Sequence, residues 1–144
     1  MSTQNTALAM RYFDDLCNGR KPHVADEIFA AGHVHHDPSC RWVPDGPDGM
    51  KQLCAVYYTA FPDAHWGVDE IFETGDRVVA RWTGTGTHRN DLAGFAPTGK
   101  PVHVAGIMIF RIANGKIAET WDVWDTLGMM QQLGVVPALA KAAS

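Results

Sequence analysis

The chain has 144 residues, 46% hydrophobic and 19% charged, with a formal net charge of −4. That length suits one domain around one core, and the five scattered lysines, with no basic run, exclude a nucleic-acid footprint. No apolar run approaches the ~20 residues that cross a bilayer, and the N-terminus lacks the charged-then-apolar order of a signal peptide. Cys17, Cys40 and Cys54 are odd in number and unpatterned, which fits neither a disulfide framework nor a zinc site. A cytoplasmic protein without membrane or nucleic-acid partner is expected. Without internal repeats or linkers, residues 1–144 are expected to form a single domain.

Three helices are predicted first. Over 4–18, Leu8, Tyr12, Phe13, Leu16 and Cys17 recur at three- and four-residue spacing, and Gly19 supplies a stop. Pro22 opens a short helix through Phe29, with Val24 and Ile28 on one face. Pro47 opens a third, with Met50, Leu53, Val56, Tyr57 and Phe61 as its stripe and Pro62 at its end. Between the second and third lies "GHVHHDPS", a short extended segment.

From residue 65 the period changes to two. "HWGVDEIFE" sets Trp66, Val68, Glu70 and Phe72 against His65, Gly67, Asp69 and Ile71. "TGDR" turns the chain into "VVARWTGTGTH", where Ala80 and Trp82 share one face and Arg81 and Thr83 the other. After the loop "RNDLAGFAPTGK", "VHVAGIMIFRI" and "KIAETWDVWD" form a hairpin about "ANG". "TLGMMQQLG" closes with a helical turn or two, capped by Gly134; the tail "VVPALAKAAS" is expected to fray. Helices followed by an antiparallel meander argue for α+β: helices on one face of a curved sheet, a cone whose mouth is a natural ligand site. Strands apolar on both faces (Val78 and Val79; Ile107 to Phe110) predict that the outer face packs against a second copy, a homodimer.

Alternation puts Thr120, Asp122 and Trp124 on one face of the last strand. A carboxylate among indoles is costly unless paired or protonated; desolvation would raise its pKa into a range useful for moving protons. The alternative is an aspartate bonded to a strand neighbour or facing water. Asp125, at the strand end, suits an N-cap better than catalysis. In "HVHHDP", His33 and His35 would share a face, as would Val34 and His36. The H-x-H pair is reminiscent of metal ligands, but further ligands are not at hand in sequence, so no metal is expected. Pocket lining by His36 or His35 with Asp37 competes with a plain turn begun by Asp37–Pro38. The glycines of "GTGTH" mark a bend or a close approach. His88 beyond them would sit near a rim, able to donate to a substrate oxygen or simply exposed. No nucleophile elbow, Walker motif or dinucleotide fingerprint occurs, so acid–base chemistry without a cofactor, or no chemistry, remains.

Taken together, "GTH", the "PTGK" loop, "FRIANGKI", "ETWDVWD" and the closing "QQLG", with "DEIFAAGHVHHDP" and "GPDGMKQL" upstream, resemble the SnoaL-like polyketide cyclase family (ester cyclase-like) of the nuclear transport factor 2-like superfamily. The resemblance spans nearly the whole chain and is most specific in its C-terminal half. It implies a cone-shaped α+β barrel with a deep pocket, a homo-oligomer, and intramolecular aldol closure of a polyketide ring without metal or organic cofactor. By position it implies Asp122 as general acid/base, with His36, Asp37 and His88 at family positions. Where the family carries an assisting histidine this chain has Met108, whose thioether neither holds nor donates a proton. The implied substrate is small and hydrophobic: Trp82, Met108, Phe110 and Trp124 would enclose it, and His88 or His36 would polarise its carbonyl. A hydroxylase or isomerase on the same fold, and a non-catalytic binding module, stand as alternatives. Epoxide hydrolysis would want an Asp–Arg–Asp cluster, and Arg111 pairs poorly with Asp122 by face.

Overall fold

The structure, a computed structural model, describes residues 3–138; most of the expected frayed tail lies outside the described residues. No helix among them is long and apolar enough to cross a membrane.

Helix α1 (Thr3–Arg11) runs directly into a π-helical stretch, Tyr12–Asn18. The sequence predicts a plain helix here. The π winding, in which the Gly19 N–H reaches back to the Asp14 carbonyl at 2.8 Å, lets Tyr12, Phe13, Leu16 and Cys17 all point into the core. Helix α2 (His23–Ile28) stops one residue before the expected end. Phe29 is already extended, with φ −96° and ψ 141°, and begins strand β1 (Phe29–His36). Helix α3 (Pro47–Ala60) follows, with proline in its first turn and Met50, Leu53 and Cys54 buried.

Strands β2 (His65–Thr74), β3 (Arg77–Thr87), β4 (Pro101–Ala113) and β5 (Lys116–Trp124) form the expected meander, and α4 (Thr126–Gln132) closes the chain. Asn114 and Gly115 both have positive φ, 53° and 74°, as the tight β4–β5 turn requires. The sheet order is β1-β5-β4-β3-β2. It is mixed rather than wholly antiparallel, because "GHVHHDPS" is not a mere extended link: β1 pairs parallel with β5, His35 opposite Thr120 and His36 opposite Trp121. The sheet is curved and open, ending at β1 and β2, rather than a closed barrel.

Strict alternation holds in β3 and β4; it fails early in β5, where a register shift opposite Arg111 and Ile112 leaves Ile117 and Thr120 both buried, and it fails in β2. The register slips between Val68, opposite Trp82, and Glu70, opposite Arg81. That bulge flips the second half of the strand. Trp66 and Val68 face inward together, but so does Ile71, opposite Ala80, while Phe72, expected on the face of Trp66 and Val68, turns outward and is 52% exposed. The helices cover the inner face, where Phe13, Leu16, Met50, Val78, Met108 and Phe110 form the middle of the core. On the outer face Ile107 and Val123, paired across β4 and β5, stay exposed.

Candidate active site

A cavity opens between the inner face of the sheet and the helices. Tyr12, Phe13 and Cys17 of the π stretch and Leu53, Cys54 and Tyr57 of α3 form one wall. Trp82, Val104, Trp124 and Met129 form the other, and Asp37 and Asp122 are its carboxyl groups. The lining is otherwise mostly apolar because alternation sends the even-numbered residues of β4, and those of β5 from Thr120 onward, inward.

Two indoles hold the two acids. Trp82 Nε1–H donates to Asp122 Oδ1 at 3.1 Å, and Trp124 Nε1–H donates to Asp37 Oδ2 at 3.0 Å. Gly106 makes this packing possible. It lies opposite both tryptophans in the ladder, and a methyl group there would come within 2.6 Å of the Trp82 ring and 2.7 Å of Trp124 Cβ. Gly84 and Gly86, the glycines of "GTGTH", likewise admit the Trp82 and Phe61 side chains. Asp37 still begins its turn, taking the Ser39 N–H on Oδ1 at 2.8 Å. Asp125 caps α4 by accepting from Gly128 N–H at 2.8 Å.

Asp122 is only 6% exposed. Its burial pushes its pKa up to about 8; the Trp82 hydrogen bond opposes this rise and the nearby Asp37 adds to it. At neutral pH the group is mostly a neutral acid, with a minority carboxylate able to take a proton.

Not every residue singled out in the sequence reaches the cavity. Asp122, Asp37, Trp82 and Trp124 line it together. Met108 and Phe110 lie beneath, fully buried; Met108 is the ladder partner of Asp122, and Phe110 packs edge-on against Tyr12 and Phe13. His36 is sent to the outer face by its register with Trp121, stacks on that ring, and bonds Glu119 at 2.6 Å. His88 is wholly buried rather than exposed at a rim. It packs on Phe61 and accepts the Thr98 N–H on Nδ1, apart from the lining. Arg111 pairs with Glu119 at 3.2 Å, leaving Asp122 without an arginine. Cys17, Cys40 and Cys54 are buried and free.

The inward imidazoles of β1 are His33 and His35. Both approach the Thr120 hydroxyl, at 2.9 and 2.7 Å. Donor atoms of His35, Asp37 and Asp122 lie within 4.8 Å of one another, a set that could hold a metal ion; both acids already accept N–H groups. The period-two spacing of His33, His35 and Asp37 was the signal for this grouping. It could not be placed without knowing that β1 lies beside β5.

A curved sheet covered on one face by helices, with its acids on the wall of an apolar cavity, defines the nuclear transport factor 2-like class. The model of the SnoaL-like polyketide cyclase family matches residues 7–133, and the chain belongs to that family. It is 32% identical over 139 residues to aklanonic acid methyl ester cyclase DnrD of Streptomyces peucetius, covering 93% of this chain and 92% of that one. Among solved structures it resembles TsrD from Streptomyces laurentii, with 28% identity, TM-score 0.83, and 93% and 97% of the two chains covered. A protein of Jannaschia Sp. CCS1 described as a SnoaL-like polyketide cyclase superposes with TM-score 0.84 at 26% identity, over 95% and 96%.

Proposed function

We propose that this protein closes a ring of a polyketide-like substrate by an intramolecular aldol reaction, with Asp122 as the proton-moving group. The observation that carries this reading is a buried carboxyl group on the wall of an apolar cavity, with its pKa raised to about 8 and one indole N–H on one oxygen.

The steps follow from that environment. The Asp122 carboxylate takes a proton from a substrate carbon flanked by carbonyls. The resulting enolate spreads its charge over the substrate's own conjugated system and attacks a second carbonyl carbon; a carbon–carbon bond forms and that oxygen becomes an alkoxide. Asp122, now the acid, returns the proton. The reaction is a net isomerisation, so it calls for no oxidant or reductant. Trp82 and Trp124 offer flat apolar faces for the substrate, and exclusion of water keeps the base uncomfortable in its charged form. The relative named as an aklanonic acid methyl ester cyclase suggests the substrate class: a polyketide ester, in which the ester carbonyl helps to acidify the carbon that reacts.

Asp122→Asn keeps the shape and the Trp82 contact but removes the base. The expected outcome is a loss of turnover of about a hundredfold or more with substrate binding largely kept, measured by steady-state kinetics and by titration of ligand against tryptophan fluorescence. Unchanged turnover eliminates the assignment. Met108 beside Asp122 favours one other reading, a binding module without catalysis. That reading holds if the wild-type protein binds a polyketide ester and leaves it unchanged.

A further inference from the structure

Behind the two acids, β1 and β5 assemble a chain of polar groups that the steps above do not use. The Thr120 hydroxyl lies 2.9 Å from His33 Nε2 and 2.7 Å from His35 Nδ1. A hydroxyl has one proton to give and can also accept. The other nitrogen of His35, Nε2, is buried without a hydrogen-bond partner. It is 3.9 Å from Asp37 Oδ2, and the side chains of both residues are 1% exposed. A bare lone pair there would face the Asp37 oxygen that already accepts the Trp124 N–H and be repelled; an N–H is attracted. The direction of the chain follows: His33 Nε2–H to Thr120, Thr120 O–H to His35 Nδ1, and His35 Nε2–H towards the acids. Burial holds both rings neutral, lowering each pKa to about 4, so each ring carries one N–H.

We propose that His35, held in one tautomer by Thr120 and His33, is a positioning residue whose Nε2–H compensates the negative charge that Asp122 develops during turnover. This deepens the base assignment above and rests on it. The ladder partner on the other side of Asp122 is the Met108 thioether, which has no proton to offer. Charge compensation therefore falls to the Trp82 N–H on β3 and to the β1 side. Of the other groups facing these residues, Tyr12 and Cys17 on the π-helical stretch, Tyr57 on α3, and Cys40 have pKa values raised by burial, and His36 is turned to the outer face.

Thr120→Val breaks the chain while nearly keeping the shape of the side chain. The expected result is a kcat about tenfold lower, an ascending limb of the pH–rate profile moved up by about one unit, and KM within about twofold. Thr120→Ser restores all three. A merely structural hydroxyl would change the melting temperature without moving the limb. Nitrogen-15 chemical shifts of the imidazoles in the wild-type protein, which need no variant to fold, report the Nε2–H tautomer of His35 if the proposal is right. An Nδ1–H tautomer, or a folded Thr120→Val enzyme with wild-type kcat and pH limb, overturns it. Asp122→Asn is assayed alongside: full turnover there sinks the base assignment, whereas its loss beside an unaltered Thr120→Val enzyme sinks only the role of His35.

Discussion

Asp122 costs this protein stability. Its ordinary value of 3.8 rises to about 8 on folding, so between those values the folded chain holds a proton that the unfolded chain has released. Stability therefore falls as pH rises through that window and levels off above about 8. His33 and His35 act at the other end. Their values drop from 6.5 to about 4, so the unfolded chain binds protons that the folded one refuses, and stability falls as pH drops from 6.5 towards 4. The three groups together place the maximum near pH 6.5, the upper end of the histidine window. Asp122→Asn should leave the acid side unchanged and raise the melting temperature increasingly from about pH 4 to about pH 8. A series of thermal melts across pH checks this; a pH-independent gain would show that the carboxyl group is not the source.

At the scale of elements, the π-helical stretch is tied to the sheet by one side chain. Asn18 Nδ2–H donates to the Trp66 carbonyl at 2.7 Å, and its Oδ1 accepts the Trp66 N–H at 2.8 Å. Strand β2 is an edge, so Asn18 occupies the place of a missing strand at that residue. Tyr12, Phe13 and Cys17 precede it on one cavity wall and Trp66 lies across from them. Asn18→Ala strands both backbone groups, and a loss of about 1–3 kcal/mol is expected in denaturant unfolding. Amide exchange at Trp66 should quicken, since its N–H loses its acceptor. The helical period of 4–18 was legible in the sequence, but the π winding was not. It follows from packing four large side chains against the sheet, which no local pattern encodes. The bulge in β2 escaped for a similar reason: it is set by register against β3.

At the scale of the whole molecule, Ile107 and Val123 face each other on the uncovered side of the sheet, 51% and 65% exposed, with Phe72 at 52% on β2. Isolated exposed apolar residues are ordinary, but this set lies on one sheet face. A second copy meeting this face is the expected cover, and Val123→Lys should then shift the protein towards monomer in sedimentation velocity, with turnover retained because the cavity lies on the opposite face. A wild-type monomer at micromolar concentration refutes the expectation.

The amino-acid sequence by itself determined the order of the helices and of the four-strand meander, the inward face of β5 from Thr120 onward and the solvent-poor setting of Asp122, because these depend on the alternation and periodicity of neighbouring residues. It carried the Asp125 cap and the Asn114–Gly115 turn for the same reason. Which histidine stands near the acid was decided only by the tertiary structure. His35 and His36 are adjacent in sequence and both follow the same pattern; the parallel pairing of β1 with β5, some 85 positions away, turns one inward and the other out. His88, Met108 and Phe110 likewise received their places from packing: each is buried, but around the cavity rather than in its wall. Local chemistry can select the residues able to move a proton, whereas their distances to one another come from chain segments that meet only in the folded state.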